Sequence, residues 1–210
     1  MKFYLSSYKL GNEENIKKFE QMISSTNKRT AYIANALDYS TDTERRDKSE
    51  AADIGDLSKI GLEPEKIDLR DFFGKKAALK QTLEKYDIIW IRGGNTFVLR
   101  QAMKISGFDE ILKELAEQNK QIIYGGYSAG ACVLSPTLKG LSIVDDPNQK
   151  PYGDEHDIIW DGLGILDYSI APHYKSDHPE SADIDKEVQY MIAEKMPFKT
   201  LRDGEVIIIE

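Results

Sequence analysis

Only one cysteine, Cys132, occurs among the 210 residues. An internal disulfide is therefore excluded, and the chain suits a reducing compartment. Histidine is scarce too, with His156, His173 and His178 as the full complement. They are not spaced with cysteines as metal ligands are, so no metal or other cofactor is expected. Positive charge is in deficit: 28 Lys and Arg against 36 Asp and Glu leave a net charge of -8. The basic residues are scattered among acids, which excludes nucleic acid as a partner, since binding it takes clustered cations that displace counterions. No stretch approaches the roughly 18 consecutive apolar residues of a membrane span, and Met1 to Leu10 is too short and polar for a secretion signal. The expectation is a soluble, cytoplasmic protein, monomer or homodimer, with no membrane partner. A chain of 210 residues, 40% of them hydrophobic, is most simply one domain covering residues 1–210.

What is present is a regular alternation of short apolar runs with longer amphipathic ones. Strands are expected at Phe3–Ser7, Ala31–Ala34, Ile67–Leu69, Tyr86–Ile91 and from Ile122 onward. Helices are expected over Asn12–Ser24, Asp42–Ile60, Lys75–Glu84, Phe97–Lys104 and Phe108–Gln118. The helix 42–60 is strongly charged, with Ala51, Ala52, Ile54 and Leu57 as its thin apolar side. Tyr86–Ile91 is almost continuously apolar, as strands covered on both faces of a parallel sheet are. The pattern defines an α/β chain with a doubly wound sheet, whose functional residues gather beyond the carboxyl ends of the strands.

At one such end stands Gly126-Tyr127-Ser128-Ala129-Gly130. A strand that runs into a glycine-flanked serine and then opens a helix is the nucleophile-elbow arrangement, which lifts the serine hydroxyl clear of the sheet. Cys132 is expected to pack behind it. One strand earlier, Arg92-Gly93-Gly94-Asn95-Thr96-Phe97 leaves the strand at Ile91 and enters a helix. Its glycines allow backbone N–H groups to face the cleft and hold a developing oxyanion, with Gly94 and Ala129 as donors. Alone, the same residues read as a helix cap, with Asn95 or Thr96 capping.

A serine nucleophile needs a base. His173 follows the strand-like run Tyr168–Pro172, expected to end at the same sheet edge, and is the leading candidate. His178 precedes a helix, and His156 lies in an acid-flanked loop. The third partner is a carboxylate that orients the imidazole. Asp145, Asp146, Asp157, Asp161, Asp167, Asp177, Asp183 and Asp203 are available. Asp203 stands out by position, before Val206–Ile209, yet Asp203-Gly204 also reads as the turn of a terminal hairpin.

Taken together, the segments at 92–97, 126–131 and Pro172-His173-Tyr174 resemble the serine peptidase family of dipeptidase E (aspartyl dipeptidase) and cyanophycinase. The resemblance implies a three-layer, mostly parallel, flavodoxin-like fold of the class I glutamine amidotransferase type, with serine in place of cysteine. It further implies Ser128 as nucleophile, His173 as base, Gly94 and Ala129 as oxyanion donors, and a small peptide as substrate. The family uses a glutamate as third member; the matching position here is Asp203, one methylene shorter. Aspartyl dipeptidase also uses an arginine downstream of its histidine to bind the aspartyl side chain, and none occurs here from Tyr174 to Lys199. Lys175 and Asn95 are the remaining candidates for substrate contact, and strict aspartyl specificity is not expected. A helix in that stretch is expected to turn Ile184, Val188, Met191 and Ile192 inward and its charges outward. Residues 145–162, with Trp160, read either as a lid or as a surface connection. The rival functions are an esterase of the α/β-hydrolase type, whose chain order is serine, acid, histidine, and a silent member that binds a small molecule in the same cleft.

Overall fold

The computed structural model describes residues 1–117 and 121–210. It contains strands β1 (Lys2–Ser6), β2 (Arg29–Ile33), β3 (Glu63–Lys66), β4 (Ile88–Ile91), β5 (Ile123–Tyr127), β6 (Ser169–Ala171), β7 (Phe198–Thr200) and β8 (Val206–Ile209). The helices are α1 (Glu13–Met22), α2 (Thr43–Lys59), α3 (Lys76–Leu83), α4 (Thr96–Ser106), α5 (Phe108–Glu117), α6 (Ala129–Cys132) and α7 (Ser181–Ala193). The expected end of α5 at Gln118 lies outside the described residues.

Six strands form one sheet in the order β3-β2-β4-β5-β1-β8. Every neighbouring pair is parallel except β1 with β8. The period-two geometry of a strand divides the core in two. Phe3, Leu5, Ile89, Ile91 and Tyr124 face α3, α4, α5 and α6, while Tyr4, Tyr32, Ile88, Trp90 and Tyr127 face α1 and α2 through Phe19, Met22 and Leu57. Each such side chain contributes about 1.5–3 kcal/mol by leaving water. Among the described residues no helix is long and apolar enough to cross a membrane.

Five local expectations are corrected. The strand placed at Ile67–Leu69 is instead β3, Glu63–Lys66; as an edge strand exposed on its faces it carries no apolar signature, and Ile67 and Leu69 are buried in the turn behind it. On α2, Ala51 and Ala52 are exposed while Glu50 and Asp53 are buried with Leu57, because Glu50 pairs with Lys66 and Asp53 accepts from the buried Tyr127 hydroxyl. β6 does not join the main sheet; it pairs with β7, parallel, in a small separate sheet. The terminal hairpin is therefore absent, with β8 running antiparallel to β1. On α7, Ile192 is exposed and Glu187 fully buried.

Candidate active site

Ser128 joins β5 to α6 with φ 48° and ψ -118°. A non-glycine residue adopts such angles at a cost of order 1–3 kcal/mol, sustained only where surrounding structure enforces them. Here the enforcement is explicit. The Ser128 amide donates to Ser6 O of β1 at 3.2 Å, and its carbonyl accepts from the amides of Ala131 and Cys132 at 2.8 and 2.9 Å. The Tyr124 hydroxyl holds Gly130 O at 2.5 Å. A Cβ on Gly130 would lie 2.2 Å from Ile91 O, so the turn closes only with glycine there. Cys132 packs behind the serine, fully buried, and burial pushes its thiol well above the ordinary value.

The loop after β4 lies directly against this turn. Gly94 has φ +146°, and a Cβ there would sit 2.5 Å from Ala36 O. The Asn95 amide donates to that carbonyl at 2.9 Å, which fixes the loop. Among the described residues, neither the Gly94 nor the Ala129 amide donates to a protein acceptor. Gly94 lines the same cleft as Ser128 and Ala129 follows the serine in the chain, so two amides without protein acceptors are available near it. The cap reading also applies, to different atoms: Asn95 Oδ1 accepts from the Phe97 and Val98 amides at 2.9 and 3.1 Å.

His173 leaves β6 with φ 56° and is 1% exposed. Its Nδ1 lies 2.7 Å from Asp203 Oδ1. Ser7, at the carboxyl end of β1, ties the pair together: it accepts from the His173 amide and donates to Asp203 Oδ1, both at 2.8 Å. The Asp203 amide donates to Ser176 Oγ at 2.8 Å. The shorter acid reaches the imidazole because the 203–204 turn is held against the start of α1, with Asn12 N and Asn15 Nδ2 donating to Gly204 O at 3.0 and 2.9 Å. Burial lowers the His173 pKa, opposed by the Asp203 carboxylate. The imidazole is accordingly neutral at pH 7 and able to accept a proton.

His178 stacks on His173 with ring centroids 3.7 Å apart and planes 7° apart, and Glu180 Oε2 lies 4.0 Å from His173 Nε2. These three residues offer ligand atoms within 4.8 Å of one another. Parallel rings, however, carry their lone pairs side by side rather than toward one point, which is not a chelating geometry. His156 stands apart in its loop beside Glu155.

Ser128, His173, Gly94, His178 and Glu180 line a common cleft of about 350 Å³. α2 adds Arg45, Ser49, Ala52 and Asp53, the segment after β1 adds Tyr8 and Lys9, and Leu37, Arg92, Gly93 and Tyr127 also line it. These contributions from α2 and the segment after β1 have no motif in the sequence; only the one-sided spacing of residues 45, 49 and 52 hints at them. Two expected contacts fall outside. Asn95 is buried with its side chain committed to the α4 cap and to Asp146 O. Lys175 is exposed and lies over the Tyr174 ring. Among the described residues that line the cleft none belongs to 145–162: Asp145 accepts from the Thr96 amide, Tyr152 donates to Asp38, and Trp160 packs edge-on against Phe97. That segment is a connection pinned to the scaffold.

A doubly wound sheet with a strained, glycine-flanked serine beside a buried imidazole–carboxylate pair is suited to serine-type hydrolysis, and comparison with known proteins gives the class as peptidase. The chain belongs to peptidase family S51, whose profile matches residues 3–210. An uncharacterized peptidase of Listeria innocua is 32% identical over 120 residues, 57% of this chain and 54% of that protein. Peptidase E of Salmonella arizonae is 34% identical over 105 residues, 50% of this chain and 41% of that protein. The aligned region thus spans about half the length of these curated relatives or less. The fold matches that of a candidate peptidase E protein from Listeria monocytogenes EGD-e at a TM-score of 0.71 with 24% identity, covering 100% of this chain and 98% of that one.

Proposed function

We propose that this chain is a serine peptidase that cleaves dipeptides or short peptides through an acyl-enzyme on Ser128. The observation that carries the reading is the 2.7 Å His173–Asp203 contact in the same cleft as the strained serine. His173 takes the Ser128 proton as Oγ attacks the peptide carbonyl carbon. The resulting oxyanion accepts from the Gly94 and Ala129 amides, and Asp203 holds the imidazolium. The imidazolium then protonates the leaving amine as the C–N bond breaks. Water, deprotonated by His173, attacks the ester and releases the acid, returning Ser128 to its starting form.

A cleft of about 350 Å³ is at the small end of ligand sites, fitting a dipeptide better than a long chain. Among the described residues lining it, Arg45 of α2 is a cation outside the ion pairs that hold Lys9 and Arg92, whereas the segment after His173 lacks the arginine of aspartyl dipeptidases. Without an arginine after His173, selectivity for an N-terminal aspartate is weak. A dipeptide library checks both parts. Hydrolysis abolished by Ser128→Ala, with Asp-X substrates less than tenfold above the best others, is the expected result; a kcat/KM for Asp-X at least tenfold above every other dipeptide contradicts the specificity claim.

A further inference from the structure

Two adjacent glycines are a poor way to hold an oxyanion donor. Nothing in their own covalent structure stops the peptide between them from turning over, because glycine moves freely through φ/ψ space. The Gly93–Gly94 peptide is trans, so its carbonyl and its N–H point in opposite directions. Whatever grips the Gly93 carbonyl aims the Gly94 N–H.

The grip is Arg92. Its Nε donates to Gly93 O at 3.2 Å, in a buried position. The guanidinium is anchored in turn from α2: Nη2 donates to Ser49 Oγ at 3.1 Å, and Asp53 Oδ2 lies 3.6 Å from Nε. Asp53 Oδ2 accepts from the Tyr127 hydroxyl at 2.7 Å and the Tyr32 hydroxyl at 3.2 Å. Tyr127 immediately precedes Ser128, so one buried network touches both the serine turn and the oxyanion loop. Arg92 is 7% exposed and lines the cleft, and its Nη1 is buried without a partner. An unmet buried donor costs about 1–3 kcal/mol, which a side chain serving only to fill this space would not incur.

We propose that Arg92, backed by Asp53, is a positioning residue that sets the Gly93–Gly94 peptide so that its N–H faces the transition-state oxyanion. The inference rests on the acyl-transfer reading of Ser128. It assigns to the arginine before the glycine pair a role in kcat rather than in substrate affinity, because its partner atom faces away from the substrate.

The test combines steady-state kinetics with inactivation by a fluorophosphonate, whose attack by serine builds negative charge in the same oxyanion site. Arg92→Ala is expected to lower kcat about 30- to 300-fold with KM within threefold, and to slow fluorophosphonate inactivation by a similar factor. Ethylguanidinium added to Arg92→Ala is expected to restore at least tenfold of the lost rate in both assays. If Arg92→Ala fails to fold, Arg92→Lys keeps charge and bulk but lacks the Nε fork, and is expected to lose at least tenfold in kcat. A folded variant with kcat within threefold of wild type overturns the proposal, as does a loss confined to KM or unaffected by ethylguanidinium. If wild type itself does not react with the fluorophosphonate, or Ser128→Ala still does, it is the acyl-transfer reading that fails, and the two failures are distinguishable.

Discussion

Replacing Asp203 with asparagine isolates charge from shape. The side chains are nearly isosteric, so the amide can keep an oxygen toward Ser7 Oγ and His173 Nδ1, which lie 2.8 and 2.7 Å from Oδ1 in the wild type. What disappears is the negative charge opposite the imidazolium. Two charges with centres about 4 Å apart at an effective dielectric near 20 attract by about 4 kcal/mol. Asp203 is 25% exposed, and screening reduces this to about 3–4 kcal/mol. At 1.36 kcal/mol per tenfold, kcat falls about 10²- to 10³-fold with KM changing less than threefold. The pH profile carries an independent sign. Burial already holds His173 below the ordinary imidazole value, and Asp203 is the strongest influence raising it. Removing the carboxylate lowers the pKa further, so the acid limb of kcat/KM moves to lower pH while the plateau drops. Dipeptide hydrolysis measured from pH 4.5 to 9 reads both. A loss under tenfold, or an acid limb that moves upward, refutes Asp203 as the orienting acid.

Ser7→Ala strips the buried His173 amide of its acceptor and Asp203 of a donor; chemical denaturation should show a loss of about 1–3 kcal/mol, with kcat reduced while substrate affinity holds. Glu187, fully buried on α7, has its carboxyl pushed up to about 8, first by burial and then by Asp145 and Glu180. A raised pKa stabilises the fold below the unfolded carboxyl value and loses that contribution as pH rises toward 8. Glu187→Gln should therefore raise Tm at pH 9 and leave it nearly unchanged at pH 5, in thermal melts at both. Gly130→Ala places a Cβ 2.2 Å from Ile91 O, backbone that cannot step aside; a stability loss of about 3 kcal/mol or more is expected in urea melts, with activity lost as well.

The placement of Ser128 at a strand-to-helix turn and of His173 after a short strand is legible in the sequence, because an apolar strand runs directly into the glycine-flanked serine and a short strand run precedes the histidine. The parallel sheet was legible for the same reason, since β4 and β5 are apolar on both faces. Asp203 was readable only by position, and the terminal strands that carry it were misread as a hairpin because Asp-Gly favours one. The supporting residues left no local trace. Ser7 meets His173 across 166 positions and Asp203 across 196, distances over which a single sequence offers no periodicity or spacing rule. The buried acids of α2 and α7 run against the general expectation that charges face out. Glu50 and Asp53 face inward because Lys66, Arg92 and two tyrosines meet them there, and Glu187 because its neutral form tolerates the core. β3 was misplaced because an exposed edge strand needs no apolar side chains.

Intact-mass spectrometry after treatment with a fluorophosphonate tests most directly whether Ser128 is an activated nucleophile. The expected result is a single adduct per chain, mapped to the peptide bearing Ser128, lost in Ser128→Ala and formed markedly more slowly in His173→Ala. An unmodified wild-type mass, under conditions that label a known serine peptidase to completion, or an adduct on another residue, would contradict it.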